Sequence, residues 1–208
     1  MRELSTAIND VNKVSSYYSS LYGREYDLLA SFKSDGGVDN LYIQVQGETL
    51  IDMVVFIMSG EQLSLFSDAI RQIKSKYLQW CEIAKDNNVK NFCKVFDVIF
   101  PDVAIGWYEP NKYKWYFDMN HKLIPYFMVL NTGQSYSLVI TGDALATVES
   151  LKNEVVGKEY GFALSSESDF EIFLREVDPI NLLLKSAEKT LESYEKIRKY
   201  KDTEKLFK

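Results

Sequence analysis

Between Leu63 and Ala84 the apolar side chains return at intervals of three and four residues: Leu63, Phe66, Ile70, Ile73, Tyr77, Trp80 and Ala84. That period places them on one face of a helix of about 25 residues, roughly 37 Å long at 1.5 Å per residue. Ser59 precedes the stripe and Gln62 follows it by three, the spacing of a capping box that satisfies free amides at a helix start. Leu65, Ala69, Leu78 and Cys81 widen the stripe beyond a two-stranded seam, so the helix is expected to lie across a sheet. The sharper alternative makes Phe66, Ile73, Tyr77 and Trp80 an interface toward another helix or subunit.

Three further helical patterns occur. Leu4, Ile8, Val11, Tyr18 and Tyr22 predict an amphipathic helix over residues 3–21, stopped by Gly23. Phe170, Phe173, Leu174 and Val177 mark a short helix. Asp178 then caps a terminal helix that begins at Pro179 and runs to about residue 201. Its apolar side carries Ile180, Leu183, Leu184, Ala187, Leu191, Tyr194 and Ile197. On the other side, Glu192 with Lys196 and Glu195 with Lys199 form favourable i,i+4 pairs.

Elsewhere the period falls to two. Tyr26, Leu28, Ala30 and Phe32 alternate, as do Leu41, Ile43 and Val45, while residues 50–58 are nearly continuous apolar. Residues 92–100 read as a strand ending at Pro101. Four strand-like segments follow at 103–109, 112–118, 122–130 and 134–141, joined by short turns, and 158–164 reads as a last strand. Residues 142–157 take no assignment.

The first of these hairpins is rich in aromatic and lysine residues. Turning through Pro110 and Asn111, it pairs Glu109 with Lys112, Tyr108 with Tyr113, Gly106 with Trp115 and Ala104 with Phe117. Period two then puts Trp115 and Phe117 on an inward apolar face. Trp107, Lys114 and Tyr116 fall on the reverse, where they offer a mixed surface for a small ligand or nucleotide. A three-residue turn at Met119–His121 sets the next strand beside this one, with Val129 by Tyr136 and Phe127 by Leu138 further on.

Composition changes little. A chain of 208 residues with 46% hydrophobic and 26% charged positions is long enough for a core. Its apolar runs are too short to cross a bilayer and its first residues lack a signal-peptide block, so a cytoplasmic protein with no membrane partner, bacterial or phage-derived, is expected. Cys81 and Cys93 have no metal-ligand spacing, and free thiols are expected. Charge is uneven. Residues 185–208 hold eight basic and five acidic side chains, +3, and the remainder sixteen against twenty-five, −9. An acidic body disfavours nucleic acid as a partner.

No phosphate loop, nucleophile elbow or zinc-protease motif occurs in the sequence, and no cofactor or metal is implied. Asp118 and His121, three apart, are the one pair with acid–base potential, for a carboxylate-dependent hydrolase. The pattern as a whole predicts an α+β fold. It has an antiparallel meander of about seven to eight strands packed by a long central helix, with amphipathic helices at both ends. It forms a single domain over 1–208, with a possible subdivision into 1–88 and 89–208. The expected role is a non-catalytic interaction module that oligomerises or holds a protein partner through its amphipathic helices.

Overall fold

The computed structural model describes residues 11–19, 21–33, 37–45, 53–109, 114–130, 135–142 and 160–205. Within them the chain is α+β, with two antiparallel sheets and three helices. Four strands come first: β1 (Asn12–Ser19), β2 (Arg24–Phe32), β3 (Val38–Val45) and β4 (Met53–Ser59). The long helix α1 (Gly60–Asp86) follows, then β5 (Phe92–Val95), β6 (Val103–Glu109), β7 (Lys114–His121), β8 (Leu123–Val129), β9 (Tyr136–Gly142) and β10 (Gly161–Leu164). Helices α2 (Glu167–Glu176) and α3 (Pro179–Lys205) close the described chain.

The expected single meander is in fact two sheets, ordered β1-β2-β3-β4-β6-β7 and β10-β9-β8-β5. The division falls at the β7–β8 corner. There Asn120 takes a left-handed φ of 63°, a conformation asparagine tolerates better than most residues, and β8 leaves for the second sheet instead of pairing with β7. The β8–β9 register is the expected one, Val129 opposite Tyr136 and Phe127 opposite Leu138. Residues 143–159, which include most of the unassigned stretch, lie outside the described residues.

The N-terminal helix is a correction. Residues 12–19 form β1, and residues 1–10 lie outside the described region. Val14 and Tyr17, three apart, both point inward because the β1–β2 register slips between Lys13 and Ser15. A bulge of this kind adds one residue to a strand, so an i,i+3 spacing that resembles a helical turn becomes one face of a sheet. Tyr18 and Tyr22, two members of the supposed helical stripe, are exposed.

Helix α1 forms as its pattern predicts. Ser59 Oγ accepts from the Gln62 amide at 3.3 Å, and Gln62 Oε1 accepts from the Ser59 amide at 2.9 Å. Leu63, Phe66, Ile70, Ile73, Tyr77 and Ala84 are all buried. They meet the inward residues of both sheets and of α2 in one core cluster that extends from Val14 to Leu182. Phe162 on β10 is the meeting point of its rings, within 6.3 Å of Tyr17, Phe56, Phe66 and Phe173. The Ser19 hydroxyl ties the two sheets at their edges, donating to the Ala163 carbonyl at 3.1 Å and accepting from the Ala163 amide at 3.3 Å.

The β6–β7 hairpin keeps the expected sorting of faces but reverses their direction. Its register is two residues longer than predicted: Glu109 pairs with Lys114, Tyr108 with Trp115, Trp107 with Tyr116 and Gly106 with Phe117. A shift of two preserves side-chain parity. Yet Ile105 and Trp107 face the core, at 0% and 2% exposure, while Trp115 and Phe117 are half-buried on the outer face. The Phe117 ring there covers Gly106, where an added Cβ would meet it at 2.9 Å. Together with Leu29, Tyr42 and Ile57, Trp115 and Phe117 line a small apolar hollow.

Candidate interaction surface

Helix α3 is set against the body by its polar side. The Asp178 carboxylate caps it, accepting from the amides of Ile180 and Asn181 at 3.0 Å each. Leu182, fully buried, is the first-turn anchor. One turn later Lys185 reaches the nearly buried Glu176 carboxylate at the end of α2 and hydrogen-bonds Ser15 Oγ at 2.9 Å. Ser15 donates to the same carboxylate, and Arg175 Nε donates to its other oxygen at 3.1 Å. A turn further on, Lys189 donates to the Lys13 carbonyl on β1.

Burial pushes the Glu176 carboxyl upward, but the donors from Lys185, Ser15 and Arg175 outweigh it and hold the group below its usual value. A depressed carboxyl stabilises the fold fully above its unfolded value, and that contribution disappears as pH falls through the folded one. The α3 anchor should therefore be indifferent to pH from neutrality down to about 4.5, then weaken on further acidification. Glu176→Gln should flatten this acid limb and remove about 1.5–3 kcal/mol at pH 7, as losing hydrogen bonds to a charged group does. Thermal melts from pH 7 to 3 read both effects. An unchanged acid limb in the variant would contradict the assignment.

Successive residues of a helix are rotated by about 100°, so Ile180, Leu184, Ala187 and Leu191 point away from the side that holds Leu182, Lys185 and Lys189. They are accordingly in water. Ile180 is 70% exposed, Leu184 58%, Leu191 64%, Tyr194 67% and Ile197 52%. From Ala187 to Thr203 every residue is exposed, a length of roughly 25 Å, and along it Tyr194 and Ile197 line an open groove with Asn12, Lys13 and Val14 of β1. An ordinary surface helix turns its apolar stripe inward; here Ile180, Leu184 and Leu191 turn outward. Burial of a single such Leu or Ile is worth about 1.5–3 kcal/mol, so a stripe of them left in solvent marks a surface that some contact would cover.

The other sequence-derived candidates are distributed differently. Phe66, Ile73 and Tyr77 lie inside the chain's own core, so the α1 stripe is consumed within the fold. Trp80 is partly buried, stacked on Phe96 at 4.6 Å, with Lys94 Nζ 4.7 Å over its ring. Trp107 is buried against Tyr116, centroids 5.6 Å apart, and Lys114 is paired with Glu109 through the strand backbone. Trp107, the centre of the mixed face expected at the surface, is thus turned inward.

Asp118 and His121 do meet, with Nδ1 3.3 Å from the carboxylate. Sequence reasoning missed the third member, because Tyr160 is far along the chain; its hydroxyl contacts His121 Nε2. A neutral imidazole with its proton on Nδ1 satisfies both contacts, donating to Asp118 and accepting from Tyr160. His121 is 6% and Tyr160 2% exposed, and the edge of Phe56 packs on the phenol ring. The trio pins the β7–β8 corner to the start of β10. Sequence reasoning also missed the Ser15–Glu176–Lys185 anchor. Its only signal was the placement of Lys185 and Lys189 on the side of α3 opposite Leu184 and Leu191.

Cys81 and Cys93 are both free thiols. Among the described residues no cluster of three or more His, Cys, Asp or Glu is arranged to hold a metal ion, and no helix is long and apolar enough to cross a membrane. No protein-family model, curated protein or solved structure matches the chain.

Proposed function

We propose that the protein is a non-catalytic interaction module whose contact surface is the outer face of α3. One observation carries this reading. The helix is anchored to the body through Leu182, Lys185 and Lys189, leaving Ile180, Leu184, Leu191 and Tyr194 directed into solvent. A 27-residue helix reaches about 40 Å, longer than the part the body covers, and its far turns have no core of their own to form. Protein contacts use such helices by laying an i, i+4, i+7 apolar face against a complementary surface. Leu184, Leu191 and Tyr194 have the exposed, anchor-like character that such contacts use, and the charged residues beside them supply a polar rim.

The test places a photo-crosslinking amino acid at Leu191 and, as control, at Leu65, which is similarly exposed on α1 at 56%. Irradiation of cells producing the full chain should give a covalent protein adduct from position 191 and none from position 65. If no protein adduct forms from position 191, the reading is wrong.

A further inference from the structure

The occupant of the α3 surface can be specified from its charge layout. We infer that it is the same helix of a second copy, packed antiparallel about a two-fold axis near Leu191 and Tyr194; this rests on the interaction reading above. The outward face of α3 has two unlike parts. Its first four turns combine the apolar stripe with Glu188 and Glu195 on one flank. Its later turns are basic, with Arg198, Lys199 and Lys201 against Asp202.

A parallel pair would set Arg198, near the middle of the outward face, directly against Arg198 of the second copy. Reversing one copy separates the two arginines. With Leu191 opposite Tyr194 of the second copy, Ala187 comes level with its Arg198, so Glu188 lies beside that guanidinium. The two-fold axis makes this contact twice, and places the basic end of each helix along the acidic, apolar half of the other. The smallness of Ala187 leaves space for the arginine stem, which packs on apolar surface while its head reaches the carboxylate. The lysines that could have competed for Glu188, Lys185 and Lys189, are turned to the body and engaged there with Glu176 and the Lys13 carbonyl.

Light scattering of the purified full chain over rising concentration should show a mass twice that of the 24.1 kDa chain. Leu191→Glu combined with Tyr194→Glu should remain folded, since both positions are exposed, and should be monomeric throughout. Glu188→Arg alone and Arg198→Glu alone should each weaken dimerisation roughly tenfold. The two changes in one chain should restore it, because each new arginine then faces a new glutamate. A parallel pair would show no such restoration.

Failure of the double exchange to restore dimerisation overturns the antiparallel pairing. A purified chain that stays monomeric while position 191 crosslinks to a different protein in cells overturns self-association and leaves the interaction reading standing. A monomer with no protein adduct ends both.

Discussion

Replacing Phe162 with alanine is expected to lower the unfolding free energy by about 3–5 kcal/mol, the range for truncating a large buried ring. Phe162 is fully buried and touches rings from β1, β4, α1 and α2, so its loss opens a cavity bordered by both sheets and two helices. Partial collapse could reduce the cost, but the backbone here has little room to move. An added Cβ on the preceding residue, Gly161, would lie only 2.2 Å from the Ile140 carbonyl oxygen, so β9 and β10 are already in close approach. Phe162→Leu, which keeps most of the volume, should cost less than half as much. Urea unfolding with an unchanged slope measures both variants. A Phe162→Ala loss below about 1 kcal/mol would mean that the sheets do not depend on this ring for their contact.

Elements whose sequence signal is local and redundant were legible in advance. For α1 the stripe, the capping box and the length all agree, and the helix runs from Gly60 to Asp86. In β8 the alternation of Leu123, Pro125, Phe127 and Val129 gave both the strand and its register against β9. The failures lie where a single backbone irregularity changes the reading. In β1 the helical reading followed Val11, Tyr18 and Tyr22, while the bulged strand turns Val14 and Tyr17 inward instead; at Asn120 one left-handed residue sits where an expected hairpin becomes a crossing between sheets. For the candidate site the sequence offered two apolar helix faces and no means of ranking them. Leu191, Tyr194 and Ile197 are exposed on α3, whereas Phe66, Ile73 and Tyr77 carry an equally apolar stripe that the fold buries. A period shows that a helix has an apolar face; only the elements packed around it decide whether that face meets core or water.

The same distinction governs the two tryptophans of the β6–β7 hairpin, and it gives the second large expected effect. Trp107→Ala should cost about 3–5 kcal/mol, and Trp115→Ala clearly less. Both indoles lie in adjacent strands of one sheet with an aromatic partner, Trp107 with Tyr116 at 5.6 Å and Trp115 with Phe117 at 6.1 Å. Local sequence therefore does not rank them. Their ranking follows from the layer behind each. Trp107 is 2% exposed and belongs to the main core cluster, while Trp115 is half-buried over the shallow apolar hollow with Leu29, Tyr42 and Ile57. Removing an indole from a closed core loses its transfer free energy and leaves a cavity; removing one from an open face loses part of its burial, and solvent fills the space. Chemical denaturation of the two variants, with acrylamide quenching of the remaining tryptophans, separates these cases. Trp115→Ala should also lower the quenchable fraction of the emission, because it deletes a partly accessible ring. If Trp115→Ala proved the more damaging change, the sheet would have to face its core from the other side, and the buried set from Tyr26 through Phe56 to Ile105 would have to turn outward with Trp107.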